Sequence, residues 1–169
     1  MDFGLTAAVV RFYTKYKALN NEIGMENILA IAVRAYGVIA IILFAVGYIC
    51  YEKLDIIFAA SMSLSEIEVA KTLFLLFLFN IVITISTMIF RAVINAHEKF
   101  LFLKGMEMLQ ILLQPLLVVA ILQQYPSAVA VAAVQTVLNI CLITIRCYYC
   151  LVKLKIRIKF HHLDTILFK

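Results

Sequence analysis

Among the charged residues that interrupt the apolar runs of this chain, three are its first candidates for chemistry. Arg11, Arg34 and Glu107 each lie inside such a run. An ionisable side chain at membrane depth is costly and normally faces a bundle interior or a wet cavity. A guanidinium donates two parallel hydrogen bonds to a phosphate, so both arginines are candidates for contact with an anionic ligand. Glu107 is either their ion-pair partner or a proton-coupling carboxylate. The ion pair is favoured, because a buried arginine needs a counter-charge.

Amide and hydroxyl side chains recur at helical spacing in three runs, which places them on one face of each helix. Such stripes predict either a hydrated interior or hydrogen bonds between helices, typically about 0.6 kcal/mol each. For each amide taken singly, hydrogen bonding between helices is the favoured interpretation. For Arg91 and Arg146, a side chain that extends to the membrane surface is favoured over a binding role. The stripes are Asn80, Thr84, Thr87 and Arg91; Glu107, Gln110 and Gln114; and Gln135, Asn139 and Arg146. The candidate binding residues are Arg11, Arg34, Asn80, Thr84, Glu107, Gln114 and Asn139.

Long apolar runs must position these residues. With 65% hydrophobic and 15% charged residues and a mean hydropathy of +1.04, the chain has too little polar surface for a soluble globule. A spanning helix needs about 20 mostly apolar residues. Only five glycines and two prolines occur, so the runs predict helices rather than barrel strands. We predict an all-α polytopic membrane helix bundle with about five transmembrane helices: a short opening run, then roughly Asn27–Cys50, Thr72–Phe90, Phe100–Gln123 and Ser127–Cys150.

Two further features concern the interior of that bundle. Gly4, Ala8, Arg11 and Lys15 form a stripe in the opening run. Each helix would then have one polar face turned to a hydrated interior. Pro115 lies in the middle of the fourth run, removes one helical hydrogen bond and predicts a kink.

The basic residues alternate between loops and predict the topology, because lysine and arginine in short loops stay on the cytoplasmic side. Twelve of the fifteen fall on one side: Arg11, Lys15, Lys17, Arg91, Lys99, Lys104, Arg146, Lys153, Lys155, Arg157, Lys159 and Lys169. The N-terminus is therefore predicted outside and the C-terminus in the cytoplasm. The net charge of +5 is topological and indicates no nucleic-acid partner.

Two segments follow from this organisation. Residues 1–152 are predicted to form the transmembrane bundle. Residues 153–169 alternate basic and apolar residues and then place Leu163, Ile166 and Leu167 at helical spacing. They predict a basic cytoplasmic linker and an amphipathic helix on anionic membrane lipids.

Enzymatic chemistry is disfavoured. Cys147 and Cys150 have CxxC spacing, but no second pair or suitably placed histidine joins them. No histidine or carboxylate pair has catalytic spacing within the runs. The sequence therefore predicts neither an enzyme nor a cofactor or metal.

Three stretches resemble one family. DFGLTAAVVRFYTKYKA resembles the second-helix segment of bacterial polysaccharide and oligosaccharide flippases in the multidrug, oligosaccharidyl-lipid and polysaccharide exporter superfamily. RAVINAHEKFLFLKGMEMLQ resembles that family's cytoplasmic joint, through the element Ala96 to Phe100. LKIRIKFHHLDTILFK resembles the basic linker between its two lobes.

This resemblance implies a function and a larger assembly. Members have a six-helix N-lobe and a similar C-lobe around a cationic cavity. They move undecaprenyl-pyrophosphate-linked oligosaccharide, such as O-antigen, capsule or exopolysaccharide repeat units, across the bacterial inner membrane by alternating access. The five runs would be the second to sixth helices. The missing helix and C-lobe would come from the same gene or a companion chain.

Two alternatives stay open. A drug or other lipid exporter of the same superfamily predicts a cavity dominated by acidic and aromatic groups. A non-transporting membrane subunit predicts that the stripes only hold the helices together.

Overall fold

The computed structural model describes residues 4–59, 62–154 and 156, and within these ranges the chain forms helices and no strands. This confirms the all-α membrane helix bundle. The helices are α1 (Leu5–Ala18), α2 (Glu22–Phe58), α3 (Leu64–Ser86), α4 (Met88–Ala96), α5 (Phe100–Leu122) and α6 (Ala128–Tyr148), followed by a π-helical turn, Tyr149–Lys153. Of the predicted segment 153–169, only Lys153, Leu154 and Ile156 lie among the described residues.

Four helical segments are long and apolar enough to cross a membrane, namely Glu22–Phe58, Leu64–Ala96, Phe100–Leu122 and Ala128–Lys153. They correspond to the four long predicted runs. The 14 residues of α1 extend about 21 Å, which is less than the hydrocarbon thickness of about 30 Å. Large apolar side chains are exposed along the spans, as lipid-facing residues are: Ile41, Phe44 and Ile49 on α2, and Met108, Ile111, Leu112 and Leu116 on α5.

The third predicted run begins earlier than expected and is divided. Its first turn starts after Ser63, whose backbone N–H donates to Glu66 Oε2 at 2.8 Å. The helix then breaks at Thr87, between α3 and α4. Thr87 Oγ1 donates to the carbonyl of Ile83 at 2.7 Å, and Ser86 Oγ donates to that of Val82 at 2.8 Å. Hydroxyls that bond backward to helix carbonyls bend helices, so Arg91 does not continue a straight stripe from Asn80.

Contacts between the helices fix their directions. At one end of the bundle, Tyr13 of α1 contacts His97 after α4, and Phe102 of α5 stacks on Tyr149 at 4.1 Å between ring centroids. At the opposite end, Lys71 of α3 pairs with Asp55 of α2. We call the first end the basic end, because it gathers Lys15, Lys17, Lys99, Lys104 and Lys153.

The core lies where α1, α2 and α4 meet. α1 packs between α2 and α4, while α6 packs on both α3 and α5. Leu29 and Ala32 of α2 and Ala92 and Ile94 of α4 are almost fully buried there. Small residues at these contacts let helix backbones approach closely, which supplies the packing that holds helices together in lipid.

Both turns at the basic end use a left-handed residue that is not glycine. Asn20 has φ 50° and Glu98 has φ 57°. The N–H of Asn21 donates to the carbonyl of Tyr16, and that of Lys99 to the carbonyl of Ile94, which are the hydrogen bonds of Schellman caps. These caps end α1 and α4 sharply and hold His97 against α1.

Gly47 of α2 packs against the side chain of Leu78 on α3. A Cβ at this position would collide with the side chain of Leu78, whereas a Cβ at Gly37 of the same helix meets no atom within 4 Å. We expect Gly47→Val to lower the free energy of unfolding in detergent by about 1–3 kcal/mol through overpacking. Gly37→Val is the matched control for β-branching. Equal thermal unfolding midpoints for the two variants would contradict this packing.

Candidate functional site

Three of the predicted polar stripes meet at one groove. α3 and α5 both pack on α6 but leave a space between them, a cavity of about 750 Å³. Phe77, Ile81 and Val131 contribute its apolar lining. Its polar lining is Asn80 and Thr84 from α3, Gln114 from α5, and Gln135 and Asn139 from α6. We call this space the amide groove.

Four side chains join α3 to α6 beside the amide groove. Asn80 Nδ2 donates to Thr136 Oγ1 at 2.7 Å. Asn139 Nδ2 donates to Asn80 Oδ1 at 3.0 Å and to Thr84 Oγ1 at 2.9 Å. Thr136 is buried and its hydroxyl donates to the carbonyl of Ala132. These bonds satisfy polar groups that lipid could not, and they fix the two helices relative to each other.

The remaining amides of the groove are differently placed. Gln135 Oε1 is buried and has no hydrogen-bond partner among the described residues. Gln114 faces the same space from α5. A buried carbonyl oxygen left without a donor costs about 1–3 kcal/mol. A hydroxyl or N–H brought in by a ligand or water would satisfy it, so the groove has capacity for a hydrogen-bonding guest.

Glu107 has different partners from those predicted. Its Oε1 lies 2.6 Å from Arg91 Nη2, and its Oε2 lies 2.8 Å from Lys104 Nζ. The expected pairing of Glu107 with Arg11 or Arg34 is therefore wrong. The short turn between α4 and α5 brings Arg91 to Glu107, whereas the other two arginines lie on α1 and α2.

Arg11 and Arg34 are exposed and do not line the amide groove. α1 packs through Val9 and Tyr13, and Arg11 lies on its opposite face with Ala8 and Lys15. The predicted stripe of α1 thus faces outward from the described bundle instead of into it. A role for these two arginines in binding an anion stays a prediction.

A second polar cluster lies at the basic end. Lys17 Nζ donates to His97 Nδ1 at 3.1 Å, and His97 Nε2 lies 3.1 Å from Tyr13 Oη. Because an ammonium only donates, the imidazole proton is assigned to Nε2, which then donates to Tyr13. Burial lowers the pKa of His97, and the nearby charges of Lys17 and Lys99 lower the pKa further. The neutral ring therefore connects α1 to the α4–α5 turn.

The sequence reasoning missed both Thr136 and the Tyr13–His97 contact. Thr136 lies three residues before Asn139, so helical spacing could have added it to the α6 stripe. The contact of Tyr13 with His97 joins residues 84 positions apart, and no local spacing predicts such a pair.

Among the described residues no group of three His, Cys, Asp or Glu side chains could hold a metal ion. Cys147 and Cys150 are free thiols, and Cys150 Sγ lies 3.5 Å from the carbonyl oxygen of Phe90.

Comparisons with protein-family models, with curated proteins and with solved structures found no match for this chain. The family resemblance of the three sequence stretches therefore stays a prediction.

Removal of the Thr136 hydroxyl tests the hydrogen bonds between α3 and α6. Thr136→Val deprives Asn80 Nδ2 of an acceptor, so we expect a loss of about 0.6–1.7 kcal/mol in unfolding free energy. Thr144→Val is the control, because Thr144 is exposed and, among the described residues, its hydroxyl bonds to the carbonyl of Ile140 in its own helix. Thermal unfolding in detergent measures both variants. Equal losses would show that the bond between the helices contributes no stability.

A pH series tests the neutral state of His97. Its pKa in the folded protein lies below the ordinary value of 6.5, so the unfolded chain takes up the proton first as the pH falls. Neutral His97 makes its full contribution to the free energy of unfolding when the pH lies above the ordinary pKa of 6.5. This contribution is lost as the pH falls through the lower pKa that His97 has in the folded protein. We expect the thermal unfolding midpoint to fall when the pH is lowered from about 7.5 to about 5. His97→Gln should show a smaller fall, and an identical fall would contradict the assignment.

Proposed function

We propose that this chain is part of a flippase that moves undecaprenyl-pyrophosphate-linked oligosaccharide across the bacterial inner membrane by alternating access. The chain would supply five helices of one lobe, and the rest of the transporter would come from the same gene or a companion chain. Rocking of two lobes against each other is how such transporters expose a site to either side. The resemblance of the three sequence stretches motivates this proposal.

The observation that carries the proposal is the amide groove. Each sugar hydroxyl both donates and accepts a hydrogen bond, and an amide side chain offers both functions. Gln114 and Gln135 line a cavity of about 750 Å³, and the buried Oε1 of Gln135 has no hydrogen-bond partner in the described part of the chain. Its described lining includes Phe77 as an aromatic residue and no carboxylate. This composition fits a hydroxyl-rich guest better than the cationic drugs that an acidic cavity would take.

Arg11 and Arg34 would contribute to the proposed cavity separately from the amide groove, which neither residue lines. Both are exposed on the described bundle. In a two-lobed assembly this surface would face the second lobe, where guanidinium groups suit a pyrophosphate. Orientation follows the positive-inside rule, with the basic end toward the cytoplasm and the N-terminus of the given chain outside.

One observation favours a second candidate, a non-transporting membrane subunit. Asn80, Thr84, Thr136 and Asn139 bond to one another, as groups do when they only hold helices together. The two functions therefore differ in what Gln114 and Gln135 do, because these side chains are outside that set of bonds.

Binding by the full 169-residue chain in proteoliposomes tests the proposal. The probe is undecaprenyl-pyrophosphate-linked oligosaccharide, compared with the same lipid without sugars. We expect Gln114→Leu and Gln135→Leu each to weaken binding of the sugar-bearing lipid about tenfold, since each removes a hydrogen bond worth about 1–1.5 kcal/mol. Binding of the sugar-free lipid should change little.

Gln124→Leu is the matched control, because Gln124 lies exposed in the turn between α5 and α6. Thermal unfolding of each variant separates lost binding from lost structure. If sugar-bearing lipid binds no better than sugar-free lipid, or if the groove variants bind as the control does, the flippase proposal fails. The subunit then becomes the better interpretation.

A further inference from the structure

Two cations and one carboxylate from two helices meet one to two turns inside the basic end, with a third cation on another helix within electrostatic range. Glu107 of α5 contacts both Arg91 of α4 and Lys104 of its own helix. Arg146 of α6 lies close enough for the charges of Arg91 and Glu107 to act on it. Two cations thus contact one carboxylate and a third lies within electrostatic range, which leaves a local charge of about +2. We call this group the cation cluster.

Arg146 is the least satisfied member of the cation cluster. It is half-buried, and its buried Nε has no hydrogen-bond partner among the described residues. The carboxylate oxygens of Glu107 are each contacted by another cation. A desolvated guanidinium without its own counter-charge is costly, so the arrangement favours an added anion beside Arg146.

The cation cluster lies near the ends of its helices, where the phosphate layer of a bilayer would be. Arg91 precedes the end of α4 by five residues, and Glu107 follows the start of α5 by seven. At about 1.5 Å per residue these side chains start roughly 8–10 Å inside the helix ends. The polar region on each side of the hydrocarbon is of similar thickness, about 5–8 Å.

The surroundings suit a lipid rather than a soluble anion alone. Arg91, Asn95, Lys104 and Glu107 border a small recess of about 80 Å³. Next along α5, Met108, Ile111 and Leu112 are exposed apolar side chains. A headgroup phosphate in the recess would leave its acyl chains against this surface.

We propose that the cation cluster binds the phosphodiester of an anionic phospholipid. The guanidinium groups of Arg91 and Arg146 donate to phosphate oxygens, while Glu107 positions Arg91 and Lys104 for them. Basic pockets between transmembrane helices on the cytoplasmic side bind anionic headgroups in this way. This lipid remains bound as part of the structure, and the site is separate from the amide groove and independent of the proposed transport.

Nanodiscs test the lipid site with the full chain. Phosphatidylglycerol added to phosphatidylcholine should raise the thermal unfolding midpoint, and native mass spectrometry should detect retained phosphatidylglycerol. We expect Arg146→Gln to reduce this retention about fivefold, which is the effect of one basic residue near an anionic lipid surface. Arg91→Gln gives an independent second variant. Lys53→Gln, on the exposed surface near the opposite end, is the control and should retain lipid as the parent chain does.

Other outcomes would overturn the proposal. One is equal retention of phosphatidylglycerol by Arg146→Gln, Arg91→Gln and Lys53→Gln. Another is an equal rise of the unfolding midpoint when inorganic phosphate or pyrophosphate is added in detergent, because the ligand would then not be a phospholipid. The oligosaccharide experiment depends on Gln114 and Gln135, so failure of one proposal is distinguishable from failure of the other.

Discussion

The structure depends on one constraint: polar groups at membrane depth must find their partners within the protein. Backbone groups meet it by forming helices. Side chains meet it at the α3–α6 contact, where Asn80 and Asn139 bond to each other and to two threonine hydroxyls. The same requirement turns the hydroxyl of Thr87 back onto its own helix, and the resulting break redirects α4 toward α1.

Two properties of the sequence predicted much of this arrangement. The length of the apolar runs predicted the four long spans, because helices of soluble proteins rarely contain about 20 apolar residues in a row. Helical spacing placed Asn80, Gln114 and Asn139 on faces that do converge. Spacing within a helix carries no information about neighbours, however. It therefore could not assign Glu107 to Arg91, or predict that the stripe containing Arg11 faces outward.

The polar groups between α3–α4, α5 and α6, which we call the seam, differ in charge along the depth of the bundle. At mid-depth the groups are neutral amides, some bonded to each other, while the Oε1 of Gln135 has no partner among the residues that the structure describes. Toward the basic end they become charged and carry an excess of cations around Glu107. The order is physically reasonable, because an amide is much less costly than a charge far from water. Neutral hydrogen-bonding capacity is thus deep in the seam, and anion-binding capacity is near its end.

The outer faces of α1 and α5 differ in a way that bears on what surrounds the bundle. α5 exposes large aliphatic side chains such as Ile111, Leu112 and Leu116, which suit acyl chains. The stripe of α1 exposes Ala8, Arg11 and Lys15, which are small or cationic. Acyl chains against such a stripe would gain little burial of apolar surface and would desolvate a guanidinium. Lipid is therefore favoured against α5, and water or a further protein surface is favoured against this face of α1.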